Sequence, residues 1–154
     1  IVVGAAVYGV SAGAWLGFVF GVVVTIAVVT GVDQGGYIMF SARPVMTVLV
    51  CLIKGTAAGL VAGALYRAIG KKHALAGVIV AAAAAPVVNT GLFVLAMVLF
   101  YQPQLQAWAG GTAVATYIVT TLVGVNFLLE LGVNLVLSPT ITRLIAAGKK
   151  GPVD

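Results

Sequence analysis

Residues 45–66 read VMTVLVCLIKGTAAGLVAGALY, a run of 22 residues in which Lys54 is the only charged side chain. About 20 apolar residues in helical conformation cross the hydrocarbon core of a bilayer, so the run predicts a transmembrane helix. The whole chain has the same character, because 62% of its 154 residues are hydrophobic and 7% are charged. The lipid bilayer is therefore its expected surroundings. Nucleic-acid binding is a poor explanation of the +5 net charge, because basic membrane proteins keep Lys and Arg mainly in cytoplasmic loops.

Similar apolar runs predict the other helices. Complete spans are expected at residues 12–30, 45–66, 74–101 and 112–137, and residues 1–8 as the end of a further helix. A break near Gly9 separates the first two, although one long tilted helix over residues 1–30 is the alternative. Residues 31–44, 67–73 and 102–111 are polar or turn-rich and predict loops. The fold expected is an all-α integral membrane helical bundle with about five visible spans, in a single domain over residues 1–154.

The basic residues predict the orientation of the bundle, because positive charge stays on the cytoplasmic side. Three lie in the 67–73 turn, three in the basic tail at 138–154, and Arg43 lies at the opposite end. The first two groups are Arg67, Lys71 and Lys72, and Arg143, Lys149 and Lys150. We therefore expect a multi-pass protein with a cytoplasmic C-terminus, whose 31–44 and 102–111 segments face outward. Because the chain begins Ile-Val-Val-Gly without Met, we expect it to be truncated.

A few polar side chains fall at membrane depth, where each charge costs about 2.5 to 3.5 kcal/mol on insertion scales. They are Lys54, Asn89, Asn126, Glu130 and Asn134, and the last three share one helix face because they are four residues apart. Their similar depths predict one polar pocket between three helices. The structural alternative is a Lys54–Glu130 ion pair with asparagines that link helices by hydrogen bonds. Both interpretations can hold together.

The 31–44 segment contains Asp33, Tyr37 and Arg43 and is placed to fold over such a pocket. A solvated loop with an ordinary charge pair is the alternative. Four aromatic side chains fit interfacial anchors more simply than ligand contacts. They are Tyr8, Trp15, Tyr101 and Trp108.

Glycines repeat every four residues in two helices and form ridges that allow close helix contact. The first ridge is Gly9, Gly13, Gly17 and Gly21, and the second is Gly55, Gly59 and Gly63. They pack either within the chain or against another membrane subunit.

The sequence lacks the motifs of several kinds of catalytic and metal sites. There is no G-x-x-x-x-G-K-[ST] loop for ATP hydrolysis, and no H-E-x-x-H or paired-cysteine motif. Cys51 reads as a small buried hydrophobe, and His73, the only histidine, has no partners for a metal site. We therefore expect no enzyme, no cofactor and no metal, but a protein that binds a small molecule.

Five segments carry a resemblance to a known family. They are GAAVYG and AGAWLGF at residues 4–9 and 12–18, LIKGTAAGLVAG at 52–63, PVVNTG at 86–91, and NFLLELGVNLVLSP at 126–139. These segments resemble the S components, the substrate-binding membrane subunits, of energy-coupling factor (ECF) transporters. The resemblance covers nearly the whole chain, although each motif is a loose pattern of small and apolar residues.

The resemblance implies a six-helix bundle in the bacterial plasma membrane that captures a vitamin or related micronutrient from outside. It implies that Lys54, Asn89, Asn126 and Glu130 line the pocket, with Tyr37 and Arg43 in a gate over it. The partners implied are a vitamin-like small molecule, a transmembrane coupling subunit and two ATPase subunits. Riboflavin, folate, pantothenate, pyridoxal-type and pyrimidine compounds all lie within the family's range.

The resemblance also implies that the family's first helix, which carries an A-x-x-x-A docking contact, precedes residue 1. The glycine ridge at residues 9–21 is then a candidate docking surface. The alternative function is a structural or pore-forming membrane subunit that oligomerises through its glycine ridges.

Overall fold

A computed structural model of the chain describes residues 1–148, except for the side chains of Leu122, Val125 and Asn126. Within these residues all regular secondary structure is helical, and there are no strands. The helices are α1 (Val2–Tyr8), α2 (Val10–Val29), α3 (Gln34–Ala42), α4 (Pro44–Ile69), α5 (Ala74–Phe100), α6 (Gln102–Ala109), α7 (Val114–Tyr117) and α8 (Val125–Gly148). A π-helical segment, Ile118–Gly124, joins α7 to α8.

Four stretches of the described chain are long and apolar enough to cross a membrane, which makes this a multi-pass membrane protein. They are Val10–Val29, Pro44–Ile69, Ala74–Phe100 and Phe127–Gly148. Successive long helices run in opposite directions. We call the end where α2 finishes and α4 begins the Asp33 end, and the end where α4 finishes and α5 begins the Arg67 end.

The predicted break near residue 9 is present. Gly9 has φ of 97°, a backbone conformation that an L side chain rarely adopts, and it separates α1 from α2. Helix α1 has only seven residues and packs at the Arg67 end, where Val2 and Val7 contact a cluster around Tyr66 and Ile145.

Helices α2 and α4 pack antiparallel through the two glycine ridges. A Cβ atom on Gly17 would collide with the carbonyl oxygen of Gly55, and one on Gly13 would lie 2.7 Å from the carbonyl oxygen of Gly59. Gly21 meets the backbone of Cys51 in the same way. The ridges therefore face each other within the chain. Gly13, Gly17 and Gly21 are buried, so they do not form the exposed docking surface that we considered from the sequence.

Two segments that we predicted to be loops contain helices instead. Helix α3 lies in the 31–44 segment, and the carboxylate of Asp33 accepts a hydrogen bond from the backbone N–H of Gly36 at 2.9 Å, which caps its first turn. Helix α6 occupies most of the 102–111 segment, with Pro103 in its first turn and Gly110 in the left-handed conformation at its end.

The last helix extends further than expected. We predicted that the span would end at residue 137, but α8 continues through Ser138 and Pro139 to Gly148. The Ser138 hydroxyl is buried and donates to the carbonyl of Asn134 at 2.9 Å. A hydrogen bond from a serine hydroxyl to the carbonyl four residues earlier is compatible with a helix. Proline is also tolerated within membrane helices. The first part of the predicted basic tail is therefore helical, and Lys149 and Lys150 lie outside the described residues.

Candidate functional site

A large cavity of about 590 Å³ lies in the half of the bundle nearer the Asp33 end. This volume falls within the range of small-molecule binding pockets. Helices α2, α3, α4, α5, α6, α7 and α8 and the π-helical segment all contribute to its wall. Its polar and aromatic lining includes Asp33, Gln34, Thr47, Lys54, Asn89, Thr90, Phe93, Trp108, Tyr117, Thr121, Phe127 and Glu130. Three of the predicted site residues, Lys54, Asn89 and Glu130, thus line one cavity.

Lys54 lies on α4 between the glycine ridge and the Asp33 end. Its Nζ atom stands 5.1 Å from the centroid of the Phe93 ring on α5, a cation–π contact. The predicted ion pair between Lys54 and Glu130 does not form, and the Lys54 ammonium group makes no salt bridge to any other described residue. The ammonium group instead belongs to the cavity wall.

Asn89 lies three residues after the buried Pro86 in α5. Its Oδ1 atom is buried and accepts no hydrogen bond from any described residue. A buried polar atom without a partner costs roughly 1 to 3 kcal/mol. Asn89 also lines a second cavity of about 230 Å³ on the Arg67 side, so it forms part of the boundary between the two.

Glu130 lies on α8 and likewise contacts both cavities. Its carboxylate has no ion pair or hydrogen bond with the described part of the chain. Asn134, one turn further along α8, lines only the smaller cavity. The side chain of Asn126 lies outside the described residues, so its predicted role stays a prediction.

The 31–44 segment covers the cavity at the Asp33 end. Residues 33–36, with Ile38 and Met39, line it. A side chain at Gly36 would collide with Val28 on α2, so glycine there allows α3 to lie close to α2. The structure does not bring Tyr37 or Arg43 into the cavity wall. Both side chains are exposed. Tyr37 lies on the side of α3 opposite the buried Met39, and Arg43 follows the last residue of the helix.

The covering segment is connected to α5 by a buried pair of hydroxyl groups. Thr47 Oγ1 and Tyr101 Oη lie 2.7 Å apart, and Thr47 also donates to the carbonyl of Arg43 at 2.9 Å. Tyr101 is completely buried in a cluster with Met39, Met97 and Leu105. The prediction that Tyr101 is an interfacial anchor was therefore wrong. Trp108 packs against this cluster and lines the cavity, whereas Tyr8 and Trp15 are exposed.

Sequence reasoning missed several lining residues, above all Thr47, Thr90, Phe93 and Thr121. Thr90 and Phe93 follow Asn89 by one and four residues on the same helix, and helical spacing from Asn89 was the signal available for Phe93. Cys51 is buried as expected, and it also lines the cavity.

No group of three or more His, Cys, Asp or Glu side chains among the described residues is placed to hold a metal ion. Comparison with known proteins gave no match to a family model, to a curated protein or to a solved structure.

Proposed function

We propose that this chain is the substrate-binding S component of an ECF-type importer. In this proposal it captures a vitamin or related micronutrient from outside the cell. A transmembrane coupling subunit, driven by two ATPase subunits, then delivers the ligand across the bacterial plasma membrane. The sequence resemblance motivates the proposal, and the cavity near the Asp33 end supports it.

The observation that carries the proposal is the polar lining of this cavity. Lys54, Asn89 and Glu130 come from three different helices and meet at one hollow space, although charged groups are costly within a membrane. None of them forms an ion pair with another described residue. Polar groups that only held helices together would be expected to bond to each other. Unpaired groups around a cavity of ligand size favour binding.

The alternative of an oligomeric pore receives no support from the glycine ridges. These glycines were the reason to consider it, and Gly13, Gly17 and Gly21 pack against the backbone of α4. The ridges are therefore used for packing within a single chain.

Native mass spectrometry of the intact, full-length protein tests the proposal. The protein is purified gently from its membrane and examined for a bound small molecule and for coupling and ATPase subunits. We expect a stoichiometric ligand of a few hundred daltons, the size that such a cavity accommodates. A protein that carries neither ligand nor partners, but forms a defined homo-oligomer, would contradict the proposal.

Two lysine variants provide the control. Lys54→Ala removes a cavity ammonium, and we expect it to reduce ligand occupancy while the protein stays folded. Lys72→Ala removes the same charge from the exposed turn at the Arg67 end and should leave occupancy unchanged. Equal occupancy in both variants would remove Lys54 from the site.

A further inference from the structure

The charges around the cavity are distributed unlike those of the rest of the protein. Both acidic residues of the described chain, Asp33 and Glu130, line it, whereas Lys54 is the only basic residue that does. Two carboxylates and one ammonium give the cavity a formal charge of −1, in a protein whose net charge is +5. The cavity is thus the one place where the described chain concentrates negative charge.

The single ammonium group does not neutralise these carboxylates directly. Lys54 lies over the Phe93 ring and forms no salt bridge with a described residue. Asp33 uses one carboxylate oxygen to cap α3, and Glu130 has no partner in the described chain. Glu130 is exposed and lines the cavity, and no positive group of the described chain pairs with its carboxylate.

The buried side-chain oxygen of Asn89, which also lines the cavity, lacks a hydrogen-bond donor among the described residues. Asn89 and Glu130 border both cavities, so these two acceptors lie close to the same boundary. A ligand with N–H groups would satisfy the amide oxygen and the carboxylate together.

Four aromatic side chains also line the cavity, together with aliphatic and uncharged polar residues. Phe93, Trp108, Tyr117 and Phe127 contribute to the wall. The faces of such rings attract cations and stack with planar groups.

We propose that the cavity selects a planar organic cation, or a zwitterion whose positively charged N–H donor group lies toward Asn89 and Glu130. This inference deepens the proposed function and rests on it. It disfavours ligands whose only charge is negative, because the lining holds more carboxylates than ammonium groups.

Cys51 allows this to be tested without knowledge of the ligand. It is the only cysteine of the sequence, and it lines the cavity. The intact protein is treated with two methanethiosulfonate reagents of similar size, one with a trimethylammonium group and one with a sulfonate group. The ratio of their rates at Cys51 reports the electrostatic potential of the cavity. Both reagents react with the thiolate, so a change in its population cancels from the ratio.

We expect charge-removing variants to move this ratio in opposite directions. Glu130→Gln and Asp33→Asn should lower the preference for the cationic reagent by about three- to tenfold, and Lys54→Gln should raise it by a similar factor. Lys72→Gln makes the same charge change at the far end of the bundle and should leave the ratio within about twofold of the unmodified protein, because distant exposed charges are screened. A ratio that does not fall in either carboxamide variant would overturn the inference, whatever Lys54→Gln does.

A thiol at a second position keeps the test valid if Cys51, which is only 5% exposed, reacts too slowly. Thr90→Cys, made together with Cys51→Ala, places a thiol at another partly exposed position in the same cavity. The same direction of change is expected there, and its absence would contradict the inference equally.

The preference of the cavity for cations and the proposed capture function can fail independently of each other. If the intact protein carries an anionic ligand, the inference fails and the capture function stands. If the rate ratio responds as expected but the protein carries no ligand and no partner subunits, the capture function fails and the preference of the cavity for cations stands.

Discussion

The buried hydrogen bond between Tyr101 and Thr47 holds the start of α4 against the end of α5. Tyr101→Phe removes the phenolic hydroxyl and keeps the ring that packs against Met97 and Leu105. We expect a loss of about 1 kcal/mol in stability, typical of one hydrogen bond, and a lower midpoint of thermal unfolding in detergent. Because Thr47 still donates to the carbonyl of Arg43, no hydroxyl proton is left without an acceptor.

Tyr8→Phe is the matched control for this change. Tyr8 is 80% exposed, so removal of its hydroxyl should leave the midpoint unchanged. Equal midpoints for the two variants would mean that the Tyr101 bond does not contribute to stability.

The contact between α2 and α4 depends on the absence of side chains at the glycine ridges. Gly17→Ala places a methyl group against the carbonyl of Gly55, which has no room to move because its helix is packed on both sides. Overpacking of this kind costs about 1 to 3 kcal/mol, and we expect a clear fall in thermal stability and in the yield of folded protein.

Gly132→Ala in α8 separates this effect from helix propensity. No described atom outside its own helix lies within 4 Å of the added methyl group. Alanine favours a helix over glycine by up to about 1 kcal/mol, so this variant should match or exceed the stability of the unmodified protein. A Gly17→Ala variant as stable as Gly132→Ala would contradict the close packing of the ridges.

The elements that the sequence predicts correctly are those with long apolar runs. The long helices and the break at Gly9 follow from hydropathy and from a glycine in the right place. Helix α3 was missed because Gly35 and Gly36 lie in its first turn, and glycine disfavours helix. Its helical state depends on packing against α2, where Gly36 lies close to Val28, and such tertiary contacts are not visible in composition.

The same distinction applies to the candidate site. Lys54, Asn89 and Glu130 were predictable because polar groups at membrane depth are rare and their depth can be counted along a helix. Thr47, Thr90 and Trp108 occur at positions where many membrane proteins carry such residues, so only the arrangement of helices assigns them to the cavity. The depth of Lys54 alone could not predict whether it forms an ion pair, because the Phe93 ring is an alternative partner for the ammonium group.

The orientation of the whole bundle in the membrane decides whether the cavity can capture a ligand from outside. Most described basic residues lie at the Arg67 end, where Arg67 is in the last turn of α4 and Lys71 and Lys72 follow it. Positive charge stays in the cytoplasm, so the Asp33 end and its cavity should face outward. A cavity that opened on the cytoplasmic side would suit export or regulation, but not uptake.

Single cysteines at the two ends test this orientation in intact cells. In a Cys51→Ala background, Val32→Cys places a thiol beside Asp33 at a position that is 81% exposed, and Lys72→Cys places one in the exposed turn at the Arg67 end. A maleimide that cannot cross membranes should label Val32→Cys in intact cells and Lys72→Cys only after lysis, because the bilayer shields the cytoplasmic end. Labelling of both after lysis shows that each thiol is reactive. The reverse pattern in intact cells would place the cavity in the cytoplasm, and it would contradict uptake even if the isolated protein bound a vitamin.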